Sequence, residues 1–277
     1  MGKFFLRFFL LNLVIVVAAV IFLSYVGLNT DKFNDLIKEK ANSVHRNVKL
    51  EFKNTKIYLN PTELNLIVKL KKPKVLIKNS EINLSKIDLF LSLQSFFNSN
   101  FLLKRAEIAF KRNDIKDLVK ITSAFLPKLI NKQLNKIFLN GKLEGEFIIP
   151  FNKEGKVEKD YGFSGKISNA TINLTKEFLI ENLTTEISRE IKSEKNSYTA
   201  TVKKGSLSSL DLSGSSINIE NKNNIRKIKA LLNTKGKIDF NKIKKVSTLL
   251  GTNINQLNDI TGDVDLKTKI DFDLNKN

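Results

Sequence analysis

Four aspartates, Asp263, Asp265, Asp271 and Asp273, recur at alternate positions on either side of Lys267 and Lys269. In an extended strand all six side chains project from one face. Two carboxylate pairs there could hold a calcium ion or work as paired acids. The lysines between them argue instead for a solvated, charge-laced strand. Nucleophilic catalysis has less to build on. The chain holds one histidine, His45, and no cysteine or tryptophan. His45 lies in Val44-His-Arg-Asn, a basic junction suited to a solvated linker rather than a catalytic base. Zinc sites made of His and Cys are excluded by count. Gly141-Lys-Leu-Glu-Gly145 lacks phosphate-loop spacing and opens a strand, so it is no nucleotide site. The residue types point away from an enzyme, and they call for no cofactor or metal.

The strongest signal lies at the N-terminus. Residues 4–26, FFLRFFLLNLVIVVAAVIFLSYV, are apolar apart from Arg7, Asn12 and Ser24. As a helix this stretch would be roughly 35 Å long, enough to cross a hydrocarbon core. A cleaved leader is the competing reading. Its apolar core is longer than a leader needs, and Phe22 or Tyr25 stands where a small residue is required. An uncleaved single-pass anchor is expected. Lys3 and Arg7 head the span, while Lys32, Lys38 and Lys40 follow it. Because long domains translocate largely regardless of charge, the N-terminus is expected to stay cytoplasmic. The body would then be periplasmic and the anchor would sit in an inner membrane.

The chain carries a net charge of +19. Such a balance suits nucleic acid or anionic lipid headgroups. The lysines are scattered singly along alternating segments rather than gathered in a patch. With an external body, a lipid surface is the expected partner and nucleic acid is not.

Behind the anchor, Asn29-Thr30 reads as the N-cap of a helix from Asp31 to about Ser43. Phe33, Leu36, Ile37, Ala41 and Val44 form its apolar stripe. That stripe could lie on the membrane surface or cap the sheet that follows. From residue 48 the period switches from 3.6 to 2. Leu64, Leu66, Val68 and Leu70 alternate with Asn65 and Lys69, and Ile87, Leu89, Leu91 and Leu93 alternate with Asp88, Phe90 and Ser92. These patterns predict an antiparallel meander with one apolar and one wet face. Residues 114–138 read as helix interrupted at Pro127. Alternation then returns, from Phe147/Ile149 through Ile187, Ala200, Ile217 and Ile228 to Val264–Leu274, with a shorter helix over 241–250. The helix-then-glycine-strand unit occurs twice, at Leu139–Phe151 and at Ile260–Phe272, a weak internal repeat.

So many strands must curl, close or split. A closed sheet would have an ordinary core; a curled one would leave an apolar trough too extensive for water. The order of elements bears on this choice. Anchor, amphipathic helix, Val48–Phe52, Leu64–Leu70 and Ile82–Phe97 are followed by Phe101–Phe110. Within that run, Leu89-Phe-Leu-Ser-Leu-Gln-Ser-Phe96 precedes a polar turn and then Leu103-Lys-Arg-Ala-Glu-Ile108. This pattern resembles the N-terminal module of AsmA-like proteins of Gram-negative envelopes, over residues 1–112 most closely.

The resemblance implies a membrane-anchored β-groove of the bridge-like lipid-transfer kind, which contributes to outer-membrane lipid transport or assembly. The expected fold is therefore mainly β with a few helices. An N-terminal transmembrane helix would lead into a long curled antiparallel sheet, with helices capping or covering it. The expected organisation is an anchor at 1–28, a linker helix at 29–47, a first β module at 48–112, and a helix with a second β-groove module at 113–277. Phospholipid acyl chains would lie against Leu66, Val68, Leu89, Leu91, Phe147, Ile149, Ile270 and Phe272. The last strand ends near Asn277, and its open edge is a candidate surface for an envelope protein partner. An anchored scaffold with a dry β core remains the alternative.

Overall fold

The computed structural model describes residues 2–31, 33–44, 48–77, 80–93, 102–122, 128–158, 160–175, 178–192, 195–222, 225–241, 243–244 and 261–275. His45, the Pro127 interruption and most of the 241–250 helix lie outside these residues. So do positions 94–96 of the AsmA-like pattern.

The chain is mainly β, and the strands paired in register are antiparallel. It opens with helix α1 (Gly2–Tyr25), which is long and apolar enough to span a membrane and exposed along nearly its whole length. Asn12 Nδ2 donates to the Phe8 carbonyl at 2.8 Å, so this polar interruption is satisfied inside the helix. The helix stops at Gly27, whose amide reaches back to the Phe22 carbonyl at 3.0 Å with φ +70°. Only glycine adopts that cap without strain. A Cβ there would also meet the Ile57 carbonyl at 2.7 Å. The helix therefore feeds directly into strand β1 (Leu28–Thr30), which pairs with β3 (Thr55–Asn60).

This pairing corrects the expected helix start. Asn29 and Thr30 face Lys56 and Thr55 in the sheet, and Thr55 Oγ1 donates to the Thr30 carbonyl. Helix α2 begins later, at Asn34, and runs to Val44. It packs on β2 (Val48–Glu51), with the Leu50 amide donating to Asn42 Oδ1 at 3.3 Å and Lys38 over the Phe52 ring. It caps the sheet.

The chain divides into two compact units, 1–110 with 147–161, and 111–146 with 162–277. The first unit orders its strands β1, β3, β4 (Asn65–Leu70), β6 (Ser80–Ser92) and β7 (Leu103–Asp114). The front half of β6 pairs instead with β5 (Lys74–Ile77), which pairs with β2. Alternation sets Ile57, Val68, Leu89 and Ala106 in one cross-strand row. Val68, Leu70, Ile87 and Ala106 are buried, with Leu50, Phe52 and Ile77 in the same core set. Phe110 stacks on Phe147, ring centroids 5.9 Å apart.

The second unit contains helices α3 (Ile115–Thr122) and α4 (Lys128–Ile137) and most of β8 (Phe138–Pro150). Its strands are β9 (Gly162–Thr175), β10 (Phe178–Lys192), β11 (Lys195–Leu207), β12 (Leu210–Asp211), β13 (Ser216–Lys222), β14 (Ile225–Asp239) and β15 (Thr261–Asn275). Along the main ladder β9 pairs β10, then β11, β13, β14 and β15 in turn. Runs that read as several short strands are single long ones: β14 continues through Asn233, which pairs with Lys267, and β9 continues through a shift in its register against β10 at Ser168 and Asn169. Ile115 and Val119 of α3 share one buried cluster with Ile167, Ala170 and Leu183. The close approach depends on Gly141, where a Cβ would stand 2.7 Å from that of Ala170. The helices thus cover the sheet at β9 and β10.

Candidate functional site

Strict alternation in the second unit places one side-chain row across six strands. Gly165, Ile187, Ala200, Ile217, Ala230 and Ile270 stand directly opposite one another in succession. The neighbouring row runs Phe163, Arg189, Tyr198, Ile219, Ile228 and Phe272. At about 4.8 Å between strands, each row extends about 24 Å across the sheet. Its covered end is the cluster under α3. Away from that cluster, exposure climbs to 39% at Ile217, 45% at Ile270 and 43% at Phe272. Among the described residues, the face is therefore apolar at both ends and shielded at only one.

The reverse face of the same strands is polar. Ser188 and Thr199 share a hydrogen bond at 2.6 Å, and Lys203 pairs with Glu186 at 3.0 Å. On β15, Asp263, Asp265, Asp271 and Asp273 stand opposite Lys237, Lys235, Lys229 and Lys227. Lys235 and Asp265 approach to 3.5 Å, Lys227 and Asp271 to 3.8 Å. A lysine answers every aspartate, which favours the solvated reading of these carboxylates. Among the described residues, no group of three or more His, Cys, Asp or Glu is arranged to hold a metal.

Two arginines belong to the apolar face: Arg226, opposite Leu274, donates to Asn221 Oδ1 at 3.0 Å, and the other is Arg189. Arg189 is buried, and its guanidinium lies over the Tyr198 ring at 5.5 Å. The sequence reading passed over it, although Thr185, Ile187 and Arg189 alternate on one face and that alone placed it there.

The eight residues expected to line a trough fall into two sets. Leu66 is paired with Leu91 and Val68 with Leu89, directly across β4 and β6. Phe147 and Ile149 belong to the same unit. Val68 is only 2% exposed and part of the core, whereas Leu66, Leu89, Leu91, Phe147 and Ile149 are half-buried. Ile270 and Phe272 lie on the open face of the second unit. In the first unit, then, the apolar side is buried at Val68 and Ile87 and half-buried around them; in the second unit, among the described residues, the apolar side is exposed beyond the helices at Ile217, Ile270 and Phe272.

The opposite face of the first unit holds the densest charge. Lys86 reaches Glu107 at 2.7 Å and Asp88 at 3.7 Å, Lys69 reaches Asp88 at 3.7 Å, and Arg105 reaches Glu107 at 3.2 Å. The Arg105 guanidinium covers the Phe90 ring at 4.0 Å, which is why an aromatic on the supposedly wet face is buried. Burial raises the Asp88 carboxyl above its usual range, against the opposing pull of Lys69 and Lys86. Each carboxylate here has a basic partner, so the cluster reads as a sheet-face ion network and not as a poised acid.

Comparison with protein-family models, with curated proteins and with solved structures finds no match. The functional reading rests on the geometry.

Proposed function

We propose that this chain is a membrane-anchored envelope protein that holds or conducts phospholipid acyl chains along the open apolar face of its second unit. The carrying observation is the row Ile187–Ala200–Ile217–Ala230–Ile270, which passes from helix-covered core to solvent without a charged residue. An apolar face of this extent is costly in water and calls for a partner. Acyl chains match it, because they need area and no hydrogen bonds. A helix able to span a membrane stands at the head of the same chain, and the net charge of +19 favours anionic headgroups. With α1 in an inner membrane, the N-terminus cytoplasmic and the body periplasmic, such a face would serve outer-membrane lipid transport or assembly, as the AsmA-like pattern implies. No catalytic step is part of this reading, and neither is nucleic acid.

The closed first unit favours a structural role for that part of the chain: a dry core that carries the second unit and offers its surface to an envelope protein. The test is phospholipid retained by the purified full chain, measured by native mass spectrometry. Ile217→Asp is expected to shed lipid while strand content stays unchanged. Lipid retained at the wild-type level in that variant would reject the proposal.

A further inference from the structure

Among the described residues, strand β15 presents a long edge with no strand on its outer side. Its fifteen residues pair with β14 without a register shift. It contains no proline, and among the described residues no strand pairs its outer side. Every residue from 261 to 274 is exposed except Val264, which is half-exposed. Such an edge offers a full row of backbone N–H and C=O groups to another strand. Protein edges are commonly blunted by proline, bulges or charge, and β15 offers only the last.

The charge pattern selects the incoming strand. Across β14, the four aspartates meet lysines, but Lys267 and Lys269 meet Asn233 and Leu231, which carry no charge. Acidic residues opposite Lys267 and Lys269 on the outer side would complete the pattern, and β15 itself can supply them. We propose that two copies of the chain pair antiparallel through β15, about a two-fold axis at Ile270. That axis sets Lys267 opposite Asp273 and Lys269 opposite Asp271, each twice by symmetry. The apolar face then meets itself as Ile270 on Ile270 and Leu266 on Leu274. Other axes fail by the same arithmetic. One at Thr268 opposes Asp263 to Asp273, Asp265 to Asp271 and Lys267 to Lys269, all like charges, which destabilise when directly opposite. Axes at Lys267 or Lys269 set lysine against itself. An axis at Leu266 satisfies the charges but leaves Ile270 opposite Gly262 and Val264 opposite Thr268. In the favoured register the row Ala230–Ile270 continues into Ile270 and Ala230 of the second copy. The inference does not depend on what occupies the apolar face.

The absence of cysteine from the chain permits a clean test. Ile270→Cys, Thr268→Cys and Leu266→Cys are made singly in the full chain, purified in detergent micelles and oxidised. Opposite residues of an antiparallel pair lie about 4.5–5.5 Å apart between Cα atoms, within disulfide range. These three positions share one face, so an axis at Ile270 predicts a crosslinked dimer for Ile270→Cys well above the other two. A maximum at Thr268 or Leu266, equal crosslinking at all three, or none would overturn it. Independently, K267E/K269E is expected to raise the dimer dissociation constant at least about tenfold with strand content intact. A monomeric wild-type chain, or a dimer indifferent to that double change, would mean that the two lysines guard the edge, and the proposal would fall.

Discussion

Lys235 Nζ stands 3.5 Å from the Asp265 carboxylate, directly across β14 and β15. Both side chains are exposed, and the pair is one rung of a ladder in which every β15 aspartate faces a lysine. Exposed cross-strand pairs of this kind contribute about 0.2–1 kcal/mol each. Asp265→Ala should therefore lower stability by less than about 1 kcal/mol, measured by urea unfolding, and high salt should shrink the effect. Millimolar calcium should leave the melting temperature unchanged. A clear calcium-dependent rise would restore the metal reading of these carboxylates.

Asp88 should give a pH signature. It is 6% exposed, and burial raises its pKa in the fold despite Lys69 and Lys86. A raised folded pKa means that the native state binds the proton more tightly than the unfolded chain. The stability from this group is present below the unfolded pKa and falls as pH rises through the folded value. Asp88→Asn removes that titration. The variant should gain relative to wild type between acid and neutral pH, as read from unfolding midpoints across that range. A gain that instead grows toward acid would contradict the assignment.

The two glycines of the sequence repeat should respond with opposite signs. Gly141 has φ +129°, and a Cβ there would collide with Ala170, while a Cβ on Gly262 meets nothing within 4 Å. Gly141→Ala is expected to cost about 2 kcal/mol or more through strain and overpacking. Gly262→Ala should be neutral or stabilise by about 0.5 kcal/mol by restricting the unfolded chain. Thermal unfolding of the two single variants checks both.

These contrasts mark what was legible in the sequence. Period-2 alternation located the strands of both units and assigned Leu66, Val68, Leu89 and Leu91 to a common face, because side-chain direction follows from local geometry. It could not tell a buried apolar face from an exposed one. Val68 is core because of what covers it, and Ile270 is exposed because nothing described does. Strand ends were equally opaque where pairing decided them, as at Asn29-Thr30, where β3 captures the supposed helix cap. Phe90 was assigned to water, yet Arg105, fifteen residues along the chain and opposite it on β7, buries it. The shifts in register between Glu181 and Thr185, around Asn182 with φ 53°, left no periodic signal at all.

Core and open face should also part company under mutation. Val68→Ala removes two methyl groups from a 2% exposed site and should cost about 2 kcal/mol. Ile270→Ala, on the open face, should cost under about 1 kcal/mol. Val68→Asp is expected to unfold the first unit by burying an unpaired charge, whereas Ile270→Asp should leave strand content intact. Circular dichroism with urea unfolding separates these cases, and equal losses at both sites would mean that the second face is as closed as the first.

The central claim is that acyl chains occupy one face of the second unit and not the other. Ile270 and Asp271 are consecutive residues on β15 that project from opposite faces. A photo-crosslinking benzophenone residue would be placed at each position in turn in the full chain, irradiated in native membranes, and the adducts identified by mass spectrometry. Phospholipid adducts at 270 with few at 271 are the predicted result. No lipid adduct at 270, or equal yields at the two positions, would contradict the account.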